Sequence, residues 1–391
     1  MKILISGAGI AGPAMAWWLL EDGHEVTIVE RAATPRSGGY IIDFWGKGYD
    51  LAERMGLLPR LLAAGYDVEE VRLVDREGRR LSGIDGKSFG AVTNGRFTSL
   101  PRGELSLALV DAIADRATMV FGDSIASLVQ KPDGVEVTFE GAAADRFDLV
   151  IGAEGLHSRT RDLVFGPTEH FERFLGYRFA AWIMPDYPHR TADTYMAYGE
   201  PGRQTARFSL RDGTSLALFI WEEAASPPHL SGDAARIAFL RERFAGMGWE
   251  VPAMLAALDR ARDLYVDRIS QIRMDRWHKD RVALVGDAAF GPSFLAGQGA
   301  ALAMIGAYVL AGELKQSGNT IDVALNAYHA RLARFMAGKQ DAARPVARAF
   351  VPRTAFGIWF RTQVAQLMNI GWIARAAFGQ TLTDQIDLPD Y

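Results

Sequence analysis

Apolar residues gather near both ends of the chain in short runs that stop at glycine. Residues 2–6 (KILIS) are such a run, closed by Gly7. The segment PAMAWWLLEDG that follows has helical spacing, with Gly23 as its stop signal, and EVTIVER (25–31) repeats the strand pattern. The order predicts strand, glycine turn, helix and strand. Near the other end, residues 281–287 (RVALVGD) read as a short buried strand running into Gly286-Asp287. The segment AGQGAALAMIGAYVLAGELK, from Ala296, then has a helical pattern.

Between these ends the pattern changes twice. Residues 49–64 and 102–116 read as helices, and 71–82 as a hairpin around Glu77-Gly78. Strands are expected around 119–120 and 125–129. A second hairpin, GVEVTFEG (134–141), precedes the buried strand DLVIGA (148–153). From about 165 to 267 alternating strands dominate: FLGYRFAAWIM, TYMAYGE, TARFSLRDG and TSLALFIWEE. Helical stretches at 234–244 and 252–260 follow, parted by the glycines of AGMG. This block reads as an antiparallel sheet domain inserted into the first domain. After residue 315 comes a helical tail rich in Arg, Phe and Trp, with breaks expected at Pro345 and Pro352.

Composition narrows the function classes. The chain has 391 residues, 49% hydrophobic and 23% charged, with a net charge of -4, which points away from nucleic acid. It contains no cysteine, so disulfides, thiolate metal sites and redox cysteine pairs are all excluded. Lys2 and the apolar run after it could pass for a secretory leader. The strand pattern continues unbroken through residue 31, which favours a folded unit and a cytoplasmic protein. No apolar run reaches the ~18 residues that a spanning helix needs. No metal site is expected.

Gly7, Gly9 and Gly12, with Ile10 and Ala11 opening the helix, fit GxGxxG in its required setting between strand and helix. The first glycine permits the tight turn, the second lets backbone approach a pyrophosphate, and the third lets helix and strand touch. Glu30, followed by Arg31, ends the second strand, where a carboxylate can accept from ribose hydroxyls. Gly286-Asp287 suits a polyol such as the ribityl chain of a flavin, because the glycine admits close approach and the carboxylate accepts hydroxyl hydrogen bonds. Arg102 begins RGELSLALVDAI. It is equally readable as a solvated cation beside Glu104 or as a guanidinium reaching dinucleotide phosphates or the flavin edge. GAEGLHSRTR (152–161) could cap a helix and present cations to phosphate. A histidine such as His157 is by itself more often structural.

Together, GAGIAG with Glu30, Arg102 in an R-x-E-L setting, GAEGLHSRTR and VGDAA…GQG resemble, in order, the markers of single-component FAD-dependent aromatic hydroxylases. That group is typified by para-hydroxybenzoate hydroxylase. In layout the chain looks most like the tetracycline-inactivating monooxygenase branch. The resemblance implies an α/β fold. A Rossmann-like FAD-binding domain would comprise 1–70, 96–165 and 268–340, and an interleaved antiparallel β-sheet substrate domain 71–95 and 166–267. A C-terminal helical segment, 341–391, would bridge the two. It also implies that Glu30 holds the adenosine ribose, Arg102 the flavin side of FAD, and Asp287 the ribityl and pyrophosphate portion. Gly297, Gln298 and Gly299 would lie beside the pyrimidine ring, with Ala300 a further cofactor-binding candidate. The 152–161 segment would serve both FAD and the transient docking of NADPH or NADH, with His157 and Arg161 as candidates and Arg161 the better phosphate contact.

The implied reaction is hydroxylation of an aromatic or polycyclic small molecule with NAD(P)H and O2, through a flavin C4a-hydroperoxide. Alternatives are a flavin oxidase or reductase without that intermediate, and a flavin-containing protein that sequesters a ligand. No residue stands out as a catalytic base. Tyr177, Arg178, Arg207 and Trp221 on the inserted sheet, and Phe294, are substrate-contact candidates. Three positions depart from the family pattern: Glu154 replaces the usual Asp, Phe290 the usual His, and Ser293-Phe294 the usual Pro pair. The tail GIWFRTQVAQLMNIGWIARAAFG (357–379) mixes aromatics and cations like an interfacial membrane helix. A helix packed across both domains is the preferred reading, and membrane association is not expected.

Overall fold

The computed structural model describes residues 1–35, 38–188, 190–223, 230–369, 384 and 386–391. Its first sheet is built from runs of Ile, Val and Leu that are buried on both faces. Strands β1 (Lys2–Ser6), β2 (Glu25–Glu30), β7 (Thr118–Phe121), β11 (Leu149–Gly152), β17 (His278–Lys279) and β18 (Val282–Leu284) lie in the order β17-β18-β11-β1-β2-β7. All pairs are parallel except β17 with β18. Ile5 stands opposite both Ile151 and Ile28, so the strand from each end of the glycine-turn unit shares one register. One face is covered by helices α1 (Ala11–Glu21), α5 (Arg102–Asp111) and α10 (Gly299–Gln316). The other face packs Leu4, Val150 and Val282 against Val135, Val137 and Phe147 of a small sheet, β8 (Ile125–Lys131), β9 (Gly134–Phe139) and β10 (Asp145–Phe147). Such two-sided burial is what parallel strands require.

A seven-stranded sheet forms the second layer. Its order is β16-β12-β15-β14-β13-β4-β5, from β4 (Glu70–Val74), β5 (Arg80–Asp85), β12 (Glu172–Met184), β13 (Thr194–Glu200), β14 (Arg203–Ser209), β15 (Ser215–Glu222) and β16 (Arg262–Ile272). Pairing is antiparallel throughout except for β13 with β4, which run parallel. Residues of one parity, among them Trp182, Phe219 and Trp221, pack under α7 (Gly232–Arg243) and α8 (Val251–Ala256). Those of the other parity, Tyr177, Phe179, Ala181 and Phe208, face back toward the first unit. A two-stranded ladder, β3 (Ile41–Trp45) with β6 (Phe97–Pro101), lies between the layers. Short helices α2 (Lys47–Arg54), α3 (Leu58–Ala64), α4 (Gly86–Val92), α6 (Arg159–Val164) and α9 (Asp287–Phe290) complete the connections. The single helix expected over 49–64 is therefore two, parted at Gly56, whose φ of 71° is unsuited to a helix interior.

The tail forms α11 (Ile321–Phe350) and α12 (Ala355–Leu367). Pro345 does not break α11; it sits on an exposed side of the helix, and the break comes at Pro352. Helix α12 lies against the large sheet, with Arg361 donating to Gln204 Oε1 and Asn369 just beyond it donating to Gly83 O. Phe356, Trp359 and Phe360 of α12 are exposed. Residues 370–379 of the segment read as interfacial lie outside the described residues, and no described helix is long and apolar enough to cross a membrane. The last residues return to the first unit, where Asp384 pairs with Lys339 at 2.8 Å and Tyr391 donates to Glu313.

Within the glycine turn, Gly7 and Gly12 leave no room for a side chain. A Cβ on Gly12 would lie 1.9 Å from Gly7 O, inside the β1–α1 contact itself. We expect Gly12→Ala to cost about 3 kcal/mol or more through forced overpacking. Gly23→Ala, where φ is 76° but the surroundings are open, should cost only about 1 kcal/mol for its left-handed backbone. Thermal unfolding of the two variants measures the difference, and equal losses would contradict the steric account.

Candidate functional site

The two glycine-rich turns meet. A Cβ on Gly286 would stand 2.9 Å from Ala11 Cβ, so the end of β18 touches the start of α1. Gly286 has φ 65° and acts as N-cap of α9, which turns Asp287 out of the strand direction. The Asp287 carboxylate is reached by solvent yet lies deep between the layers. Burial there pushes its pKa up, and the nearby Arg102 guanidinium partly offsets the rise. Arg102 begins α5, its N–H donating to Tyr40 O at 3.0 Å. Its guanidinium stands 3.8 Å from where Gly9 would carry a Cβ. Gly299, the first residue of α10, lies 3.7 Å by the same measure from Asp287 Oδ1. Gly9, Arg102, Asp287 and Gly299, drawn from four segments, thus border one recess.

The remaining candidates for the cofactor arrange around it. Glu30 accepts from Ala8 N at 2.8 Å and from Ala32 N at 2.9 Å, which holds the glycine turn against the end of β2. Arg31 beside it is exposed. Ile10 and Ala11 bury their side chains in the core, so only their backbone can address a ligand. Gly297 takes a left-handed φ of 68° and brings the chain to Gln298. Gln298 is buried, and its Nε2 has no hydrogen-bond partner. Ala300 packs against the core behind. A buried amide donor without an acceptor costs free energy unless a ligand supplies one. That orphan donor, the open face at Gly9 beside the Arg102 guanidinium, and a carboxylate at the far wall all fit a dinucleotide with a carbonyl-bearing ring and a hydroxyl chain.

Several expected contacts need correction. Arg161 is wholly buried, and its guanidinium donates to Ala288 O, Leu156 O and Thr168 Oγ1. It ties α6 to α9 and cannot meet a docking phosphate. Glu154, longer than the Asp usual in the family, accepts from Ser158 Oγ, Thr160 N and Thr160 Oγ1, and so anchors the start of α6. Arg178, Arg207 and Trp221 all point to the helix-covered side of the large sheet. Arg178 lies over the Phe239 ring, Arg207 pairs with Glu250 at 2.9 Å, and Trp221 Nε1 donates to Glu223. Strand alternation separates two faces but does not say which one a site uses. Only Tyr177 and Phe294 of that set lie on the side facing the recess.

Tyr40, Phe179 and Tyr265, not singled out from sequence, complete that side. Tyr40, Phe179, Phe294 and Tyr265 form an aromatic cluster, with Phe179 and Phe294 stacked at 4.0 Å and Tyr40 edge-on to Phe294 at 4.8 Å. Asp43 on β3 accepts from Ser99 Oγ at 2.5 Å, and burial among protein groups pushes its pKa up. Tyr265 donates to Asp267 Oδ2 at 2.6 Å, and His157 reaches the same oxygen at 3.1 Å. His157 is therefore a pin between the layers rather than a free cation. No lone residue type signals these groups; they converge only when β3, β12 and β16 are brought together. No cluster of metal-ligating side chains occurs among the described residues.

The His157–Asp267 pair has a defined pH window. The hydrogen bond and charge of Asp267 raise His157 above 6.5, outweighing burial. Burial alone would raise Asp267, but hydrogen bonds and charge from His157, with the Tyr265 phenol, carry it below 3.8. Asp267 gives its stabilisation above 3.8 and loses it as pH falls through the lowered folded value; His157 gives its own below 6.5 and loses it as pH rises through the raised one. The pair should thus stabilise most between 3.8 and 6.5. We expect Asp267→Asn to bring the His157 ring titration, followed by NMR, down toward 6.5, and an unchanged titration would contradict the pairing. For Asp287→Asn we expect loss of FAD affinity rather than of fold, because the carboxylate is reached by solvent in the recess. FAD should bind about 10- to 100-fold more weakly through loss of charge-assisted hydrogen bonds. Flavin fluorescence titration reads that loss, and unchanged affinity would remove Asp287 from the site.

Comparisons with known proteins agree with this geometry. The FAD binding domain family matches residues 1–342. A flavin-dependent monooxygenase from an unknown prokaryotic organism is 36% identical over 360 residues, covering 92% of this chain and 89% of its own. The crystal structure of tetracycline destructase Tet(51) superposes with a TM-score of 0.85 at 32% identity, over 100% of this chain and 99% of that one. Klebsiella pneumoniae HpxO, complexed with FAD and uric acid, shares the fold with a TM-score of 0.81 at 24% identity, over 98% and 96% of the two chains. The chain belongs to the FAD binding domain family as an FAD-dependent monooxygenase.

Proposed function

We propose that this enzyme uses NAD(P)H and O2 to hydroxylate an aromatic or polycyclic small molecule held between the recess and the large sheet. The observation that carries this reading is the aromatic wall of Tyr40, Phe179, Phe294 and Tyr265, which stands directly beside the recess bounded by Asp287 and Gln298. Apolar rings of that size accept planar substrates by stacking and exclude water. The likeness to a tetracycline destructase supports a polycyclic substrate; that compound is the neighbour's, and the class is what carries over.

When bound, FAD supplies the redox chemistry: it takes electrons from a nicotinamide and activates O2 for transfer of one oxygen atom. The chain's own groups bind, orient and shield. Glu30 would accept from the adenosine ribose, Gly7 to Gly12 would admit the pyrophosphate to the α1 N-terminus, and Asp287 would accept from the ribityl hydroxyls. Arg102 would reach the flavin side, balancing the Asp287 charge. Gln298 Nε2, buried and unpartnered, would donate to a carbonyl of the pyrimidine edge. The N-terminus of α10 at Gly299 and Ala300 would favour negative charge there. On the substrate side, Tyr177 and Phe294 remain as contacts, joined by Phe179 and Tyr265. Tyr265 holds a proton shared with Asp267, and burial together with that carboxylate raises its pKa, so it stays a neutral phenol.

The test is a coupling measurement with the FAD-loaded chain and a panel of planar aromatics. We expect panel members to stimulate NAD(P)H oxidation, with hydroxylated product formed close to one per nicotinamide consumed. Stoichiometric hydrogen peroxide in place of product would assign an oxidase. A flat response across the panel would assign ligand sequestration.

A further inference from the structure

Ser293 occupies a backbone region where only glycine is comfortable. Its φ is 108° and ψ 149°, in a segment where the family pattern has a Pro pair. Such a conformation persists only where neighbours over-determine it. Here the clamps are two buried glutamines. Gln271 Nε2, from β16, donates to Pro292 O at 2.9 Å and to Gln340 O at 2.6 Å. Gln340 Nε2, from α11, donates to Ile272 O at 2.6 Å and to Gly291 O at 3.4 Å. Beyond Ser293 the chain is fixed again, since Ser293 Oγ accepts from Leu295 N and Ser293 O from Ala296 N. All the distortion is concentrated at one residue. Its result is the placement of the Phe294 ring, parallel to Phe179 at 4.0 Å with 11° between planes, and edge-on to Tyr40.

A phenyl ring stacked on the sheet's aromatic wall, beside the flavin recess, fills the place where a flat substrate ring would stack. We propose that Phe294 is a built-in plug of the substrate cavity. A planar aromatic ring displaces it from Phe179, and relaxation of the strain at Ser293 accompanies its departure. Two features favour displacement over a fixed wall. The Phe294 ring is only partly buried, so its stack is of the same order as the backbone strain that holds it. The replacing ring also recovers both the Phe179 face and the Tyr40 edge. Tyr265, donating to Asp267, presents its oxygen as an acceptor, so the ring class that fits is uncharged and planar with a hydroxyl or N–H donor. The inference rests on the substrate side assigned above and adds to it a class of ring and a residue that selects for it.

The experiment uses the FAD-loaded full chain and equilibrium dialysis with 1-naphthol as the planar probe and decahydro-1-naphthol as its saturated counterpart. Removing the plug in Phe294→Ala should tighten 1-naphthol binding about 5- to 10-fold, because the competent state is no longer taxed by the stack. Ser293→Gly relaxes only the plugged state and should weaken binding by about the same factor. The double variant should match Phe294→Ala, since strain at Ser293 matters only through the ring it holds. The saturated probe should respond to none of these changes. An unchanged flavin spectrum and a cooperative thermal transition in each variant keep misfolding out of the comparison. Weaker binding in Phe294→Ala, or no effect of Ser293→Gly, would overturn the plug while leaving the oxygenase reading intact. Failure of any planar probe to bind wild type or variants, with NAD(P)H oxidation also flat, would overturn both.

Discussion

Everything at this site depends on the close approach of two backbone turns from opposite ends of the chain. Gly12 meets Gly7 O, and Gly286 meets Ala11, at separations where a Cβ on either glycine would collide. Parallel pairing makes the approach inevitable. Strands β1 and β18 flank β11 in one register and all point their C-terminal ends the same way, so the turns that leave them share one edge. An open parallel sheet places its ligand at that edge. The sheet also sets the electrostatics, because both turns deliver helix N-termini there, α1 from one and α9 from the other.

That arrangement concentrates polar groups whose needs the protein alone leaves open. Asp287 presents a solvent-reached carboxylate near Arg102, and Gln298 keeps a buried donor without an acceptor. These are the marks of a site shaped for a partner. By contrast, Arg161, Arg207 and Glu154 spend their charges on carbonyls, a carboxylate and a helix start within the protein, and they serve the fold.

The glycine-lined recess proposed for the cofactor was legible in the sequence because its parts are local. GxGxxG, the acid closing β2 and the Gly286-Asp287 turn each need only a few consecutive residues in a known setting, and the structure brings Gly9, Arg102, Asp287 and Gly299 to one recess. The substrate half was not legible, for two reasons. Arg178, Arg207 and Trp221 look like ligand-binding residues, but a period of two leaves the choice of face to tertiary packing, and α7 and α8 claim theirs. Tyr40, Asp43, Phe179, Tyr265 and Asp267 come from strands far apart in sequence, so nothing about any one of them marks it. Ser293-Phe294 is intermediate. Its departure from the family pattern was visible, while its consequence, an aromatic ring carried across to the sheet by a strained serine, emerged only from backbone angles.

The central claim is that the recess holds FAD with its ring system between Gln298 and the aromatic wall. A crystal structure of the FAD-loaded chain tests it most directly, read at one atom. The account predicts Gln298 Nε2 within about 3 Å of a flavin carbonyl, with the ring's far side turned toward Phe179 and Phe294. A flavin seated elsewhere, with Gln298 still unpartnered, would contradict it.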